Sequence, residues 1–142
     1  IRLKAAHPRL PIVLNGGIAS VEAARELLRH VDGVMLGRAA YHTPWLLADV
    51  DRALFGVEAG AVTRAEVLAQ LIPYAERHIA GGGRLSNITR HILGLYHGRP
   101  RGKLFRRYLS ENAVMAGASA SVIAKAVEIT ESSASVRMTA AV

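Results

Sequence analysis

The spacing of apolar positions changes character partway along this chain. Residues 12–14, Ile-Val-Leu, form a short apolar run of strand type behind Pro11, and "GVMLG" at 33–37 forms a second. Between them Val21, Ala24, Leu27 and Leu28 recur at helical spacing. Ser20 stands where it caps that helix, and Glu22 complements the dipole in its first turn. Strand, helix and strand within about 25 residues is the pattern of parallel strands joined by a crossover helix. Pro44 then suits the first turn of a helix running to about Phe55, with Gly56 ending it.

From Thr63 onward the period is helical. "TRAE" is a capping box, with Thr63 as cap and Glu66 reaching back, and the helix behind it bends at Pro73 and stops at Gly81–Gly83. "NITRHILGLYHG" reads as a helix with Ile88, Ile92 and Leu95 on one face. "GKLFRRYLSENAVMAG" reads as another, with Leu104, Tyr108 or Leu109, and Ala113 turned inward. "SASVIAKAVEIT" is the last, capped by Ser119 or Ser121. The polar, small-residue tail from Glu131 is expected to be disordered. The expected organisation is an α/β segment at 1–56, an all-helical domain at 63–130 and a tail at 131–142, with no internal repeat.

Composition adds one feature that the periodicity does not show. The chain has 142 residues and a net charge of +7, and half of its residues are apolar. No acidic residue lies between Glu76 and Glu111, a window of 34 residues that holds eight Arg and Lys side chains and also His78, His91 and His97. The remainder carries ten basic and eleven acidic side chains and is close to neutral. A basic field confined to one segment attracts polyanions there, although a solvated helix face has the same composition. There is no cysteine, hence no disulfide or thiolate metal site, and no apolar run of about 18 residues to span a membrane. The opening "IRLKAAHPRL" has no signal-peptide pattern and no initiator Met, and it is expected to be the end of a helix in a longer chain.

The candidate chemistry begins at "VLNGGIAS". A Gly-Gly pair after a strand allows a sharp turn and close backbone approach to a ligand, and the start of a helix favours an anion. The second strand ends similarly, with Gly37 and Arg38. Two neighbouring strand tips of this kind converge on one anion, as when the last two strands of a (β/α)8 barrel hold a cofactor phosphate, and Arg38 adds a charge-assisted contact. Geometry alone also asks for glycine in many such loops. No GxGxxG and no Walker motif is present.

"NGGI", "DGVMLGRAAYHTPWLL", "ITRHILGLYHGRP" and "RRYLSENA" together resemble the tRNA-dihydrouridine synthases, in particular their bacterial A-type branch, over about residues 1–130. The late helical motifs are the more specific ones, since flavin barrels widely share the glycine turns. The resemblance implies the C-terminal part of an FMN-binding (β/α)8 TIM barrel, holding strands seven and eight, followed by a helical tRNA-binding bundle. It implies that Asn15, Gly16, Gly17, Gly37 and Arg38 contact FMN. It also implies reduction of D-loop uridines to 5,6-dihydrouridine, with NADPH as reductant and a cysteine as general acid, in a cytoplasmic enzyme that is expected to be monomeric and to use neither membrane nor metal. The required cysteine is absent here, so no catalytic residue is expected in this chain, and the 142 residues alone are expected to be inactive.

Arg101, Lys103, Arg106 and Arg107, four cations within seven residues, are the foremost candidates for tRNA contact, with Arg90 and His91 extending the patch. His42, His91 and His97 read first as helix-surface or partly buried histidines, Tyr41 as a packing residue, and Trp45 as a helix anchor ahead of a stacking partner for RNA or flavin, while Ser110, Glu111 and Asn112 read as helix-contact residues. Glu111 is placed to order an arginine. Asp49 and Asp51, two positions apart, point to different faces and make a poor acid–base pair. A freestanding RNA-binding helical module, and a different flavin barrel oxidoreductase acting on a small molecule, are the competing readings.

Overall fold

The computed structural model of the chain describes residues 1–58, 60 and 62–132. It is a mixed α/β structure, mostly helical, that divides into two compact units, Ile1–Ala61 and a second beginning at Val62.

The first unit runs α1 (Arg2–Ala6), β1 (Val13–Asn15), α2 (Val21–Leu27), β2 (Gly33–Met35), α3 (Arg38–His42), a 3-10 helix (Pro44–Asp49) and α4 (Val50–Phe55). The strands are parallel, with Val13 opposite Gly33, Leu14 opposite Val34 and Asn15 opposite Met35. Asp32 fixes this register. One carboxylate oxygen accepts from the Ile12 N–H at 2.8 Å, the other from Lys4 Nζ at 2.8 Å, while the Asp32 and Gly33 N–H groups donate back to the Ile12 carbonyl. Lys4, and next the Ile12 N–H, hold the Asp32 carboxyl below its usual pKa. Ser20 caps α2 as expected, its hydroxyl accepting from the Ala23 N–H at 3.1 Å, and Val21 and Ala24 are buried.

The strand was expected at 12–14 and lies one residue later, because Asn15 completes the ladder opposite Met35. Neither strand is buried here: Val13 is 64% exposed and Met35 is exposed too. The single helix expected from Pro44 to Phe55 is two pieces. The Leu46 N–H reaches back three residues to the Thr43 carbonyl, so Pro44 opens a tighter 3-10 segment before α4. Gly56 ends α4 in the left-handed conformation, as expected.

The second unit holds α5 (Arg64–Ala80), α6 (Ser86–Thr89), α7 (Gly102–Asn112) and α8 (Ser121–Glu131), with α8 packed on both α5 and α7. The Thr63–Glu66 capping box is formed in both directions, and α5 runs unbroken through Pro73. Leu68, Leu85, Phe105, Leu109 and Ile123 are the large side chains at the centre of this unit.

Four expectations need correction here. The segment 87–98 is not one helix. After the single turn of α6, the His91, Ile92, Leu95 and His97 N–H groups each bond three residues back, giving a run of turns. The β-branched Thr89 and Ile92 and the glycines at 94 and 98 weaken a continuous helix, and a chain of turns buries both Leu95 and Tyr96. On α7 the inward face is centred on Phe105, fully buried, and on Leu109; Leu104 and Tyr108 are half-buried flanks. Neither Ser119 nor Ser121 caps α8, because their hydroxyls bond each other at 2.6 Å and Ala120 occupies the cap position. Glu131, assigned to the tail, is the last residue of α8 and accepts a hydrogen bond from the Tyr96 hydroxyl. The rest of the expected tail, 133–142, lies outside the described residues.

Candidate functional site

In the first unit the candidate residues follow directly from the strand register. Asn15 ends β1 opposite Met35 of β2, so Gly16–Gly17 and Gly37–Arg38 leave the sheet at the same end. Gly16 and Gly17 have φ of 115° and 71°, a backbone that L side chains rarely adopt, although a Cβ on either would meet open space. Backbone conformation, not crowding, therefore requires these two glycines. Gly37 is different: its φ is −93° and an added Cβ would make only ordinary contact with Met35. The Arg38 side chain begins α3 and is exposed.

One element of the anion argument changes. The start of α2 is already served by the chain itself, with Ser20 taking the Ala23 N–H and Glu22 in the first turn. The Glu22 backbone N–H, and then Ser20, hold the Glu22 carboxyl below its usual pKa. An anion at this end of the sheet is thus left to the glycine turns and to Arg38. Asp49 is paired with Arg52 at 2.8 Å, consistent with its exclusion as half of an acid–base pair. Tyr41 stacks edge-on to His42, their ring centres 5.6 Å apart, and Trp45 is half-buried in the 3-10 segment.

In the second unit the turn Tyr96–Gly102 leads into α7. Arg101, Lys103 and Arg107 line one open pocket of about 520 Å³ together with Arg99, Gly102 and Leu104. Arg106 and Arg90 do not line it. Both are exposed, and Arg90 Nε donates to His91 Nε2 at 3.0 Å. Glu111 lies 4.0 Å from Arg107 Nε, a loose pairing between two exposed groups. Arg99 lines this pocket and was left out by sequence reasoning. Its signal was its place in the acid-free string "GRPRGK", two residues before Arg101.

The turn is firmly held from beneath. Tyr96 is buried; its ring packs at 4.5 Å, centre to centre, on Phe105, and its hydroxyl donates to Glu131 at 2.5 Å. The Arg64 guanidinium lies 5.7 Å from the centre of the same ring and donates through Nε to the Leu95 carbonyl at 2.8 Å. Burial, and next the hydrogen bond to Glu131, push the Tyr96 phenol well above its usual pKa. Burial, and next the like charge of Arg99, lower that of Arg64. Among the described residues no group of three His, Cys, Asp or Glu side chains is placed to hold a metal, and no helix is long and apolar enough to cross a membrane.

Residues 1–132 match the family model described as dihydrouridine synthase. The chain is 52% identical over 128 residues to a tRNA-dihydrouridine(20/20a) synthase of Pseudomonas aeruginosa, covering 90% of this chain and 39% of that protein. It is 49% identical over 133 residues to the enzyme of that name from Xanthomonas campestris and 48% identical over 128 residues to that from Salmonella typhi, covering 39% of each. The chain thus spans about two-fifths of the length of these relatives.

Proposed function

The chain belongs to the dihydrouridine synthase family, and from that premise we propose that it forms the cofactor-phosphate end and the RNA-binding lobe of a tRNA-dihydrouridine synthase of the bacterial A-type branch. In this reading β1 and β2 are the last strands of a (β/α)8 barrel, the remaining strands of which cover the exposed Val13 and Met35. The observation that carries it is the strand register, which sets two glycine turns side by side at one end of the sheet, one of them followed by an exposed arginine.

These residues suit an anionic cofactor tail. Gly16 and Gly17 keep side chains away from the approach, and Arg38 supplies charge at the adjacent tip. FMN bound here would supply the hydride, replenished from NADPH, that reduces uridine to 5,6-dihydrouridine. The task of Asn15, Gly16, Gly17, Gly37 and Arg38 is to fix the cofactor, while Arg90, Arg101, Lys103, Arg106 and Arg107 hold the tRNA through its D-loop region so that a flipped-out base meets the ring. The chain contains no cysteine, so a cysteine general acid would come from outside these 142 residues, which alone would not reduce uridine. Retention by this chain of NADPH-dependent uridine reduction would contradict that.

The test uses the complete protein. Gly17→Val and Arg38→Ala should each lower flavin content, read from the visible absorbance of the purified protein, with tRNA affinity retained. Arg106→Ala with Arg107→Ala should weaken tRNA binding and leave flavin content unchanged. Flavin retained at the wild-type level in both glycine-turn variants would remove the cofactor assignment.

A further inference from the structure

The acid-free window could act on RNA as a diffuse positive field, each cation contributing through its charge alone. The pocket argues for something more local. Arg99, Arg101, Lys103 and Arg107 line one opening; no acidic residue lines it, and Glu111 approaches Arg107 only loosely, at 4.0 Å. Bringing four like charges around a single space is unfavourable by itself, and an anion seated among them relieves the repulsion.

The backbone is also committed to this arrangement. Arg101 is, among the described residues, the only non-glycine at positive φ, 61°. That conformation is disfavoured for any residue that carries a Cβ, and such outliers concentrate at functional sites. The neighbouring Gly102 has no such freedom, because a Cβ there would overlap the Tyr96 carbonyl oxygen. The same oxygen accepts from the Arg99 N–H at 3.1 Å, and the Gly102 N–H donates to the Arg99 carbonyl at 3.0 Å. Tyr96, the base of this turn, is pinned by Glu131 and Phe105. Arg99 and Arg101 therefore project from a turn whose path is fixed.

We propose that this pocket is a seat for a single phosphate of an RNA backbone, gripped by Arg99 together with Arg101, Lys103 and Arg107, with the guanidinium geometry and not only the charge being required. Arg99 is then an RNA-binding residue, while Arg106 and Arg90 contribute field from outside the seat. The inference rests on the RNA-binding reading of this lobe and adds a defined position to it.

The two are separated by charge-preserving substitution in the complete protein, with tRNA affinity measured across a salt series. Arg99→Ala and Arg99→Lys should each weaken binding by about tenfold, since a lysine keeps the charge but not the planar fork. Arg99→Ala should also reduce the slope of log affinity against log salt by about 0.7 to 0.9. Arg77→Lys, an exposed cation of the acid-free window on α5 and outside the pocket, should bind like the wild type. Circular dichroism accompanies each variant, and Arg99→Lys answers the question should the alanine variant misfold. If Arg99→Lys binds normally, the seat is wrong whatever Arg99→Ala does. If Arg106→Ala with Arg107→Ala still weakens binding in that case, the lobe keeps its RNA role. If none of these changes alters tRNA affinity, the RNA-binding reading falls with the seat.

Discussion

Replacing Tyr96 by Phe removes one hydroxyl from the second unit and leaves the ring, 4% exposed, in its place against Phe105. What is lost is the hydrogen bond to the Glu131 carboxylate at 2.5 Å, which ties the arginine-bearing turn to the end of α8 across 35 residues of sequence. A hydrogen bond to a charged acceptor contributes about 1.5–3 kcal/mol. Glu131 is exposed, so the lower end applies, about 1.5 kcal/mol. In a protein with more than one unit a global melting temperature blends their transitions, so amide exchange along α8 is the sharper readout. A loss of that size raises the exchange rate of amides that open with α8 by about tenfold. Glu131→Ala should cost a similar amount, and the double variant should cost less than the sum because both singles break the same bond. Additive losses, or α8 exchange that does not respond to Tyr96→Phe, would refute the account of how the turn is anchored.

The same phenol makes stability depend on alkaline pH. Its pKa is raised in the folded state, so the folded form keeps a proton that the unfolded form releases. The contribution is present below about pH 10 and is lost as pH rises toward the raised value, a decline that Tyr96→Phe should abolish in an alkaline denaturation series. Asp32 has the opposite sign. Its lowered pKa stabilises the strand register above its usual value of 3.8, and below that the protection of the Asp32 and Gly33 amides, relative to their intrinsic exchange rates at the same pH, should fall. Gly102→Ala should destabilise the second unit by about 1–3 kcal/mol, since the new methyl overlaps the Tyr96 carbonyl, with a matching fall in urea midpoint. Thr63→Ala should cost about 1 kcal/mol by removing the cap of α5, seen as faster exchange in its first turn.

How much of this was legible in the sequence depended on how local each signal was. The Thr63–Glu66 box, the Ser20 cap and the Gly56 stop are decided within a few residues, and each formed as expected. The turns of 90–98 were not legible, because Ile88, Ile92 and Leu95 fit a helical period while the burial of Leu95 and Tyr96 together does not. The inward phase of α7 slipped to Phe105 for a related reason: Leu104 and Phe105 are adjacent and both apolar, and the choice between them is made by Tyr96, which lies in another segment. The glycine pair at 16–17 was readable from composition alone. The meeting of Arg99 with Arg101, Lys103 and Arg107 was not, since it needs the left-handed step at Arg101 to turn the chain.

With Arg101 in the proposed phosphate seat, that left-handed step sets stability and recognition against each other at one position. Glycine at 101 would relax the backbone and strengthen the fold by a modest amount, at the expense of the guanidinium. A sequence selected only for heat resistance should drift to glycine there, whereas one selected for grip on a polyanion should keep arginine and tolerate the twist. The residue found at this spot in any variant thus records which of the two demands has governed it.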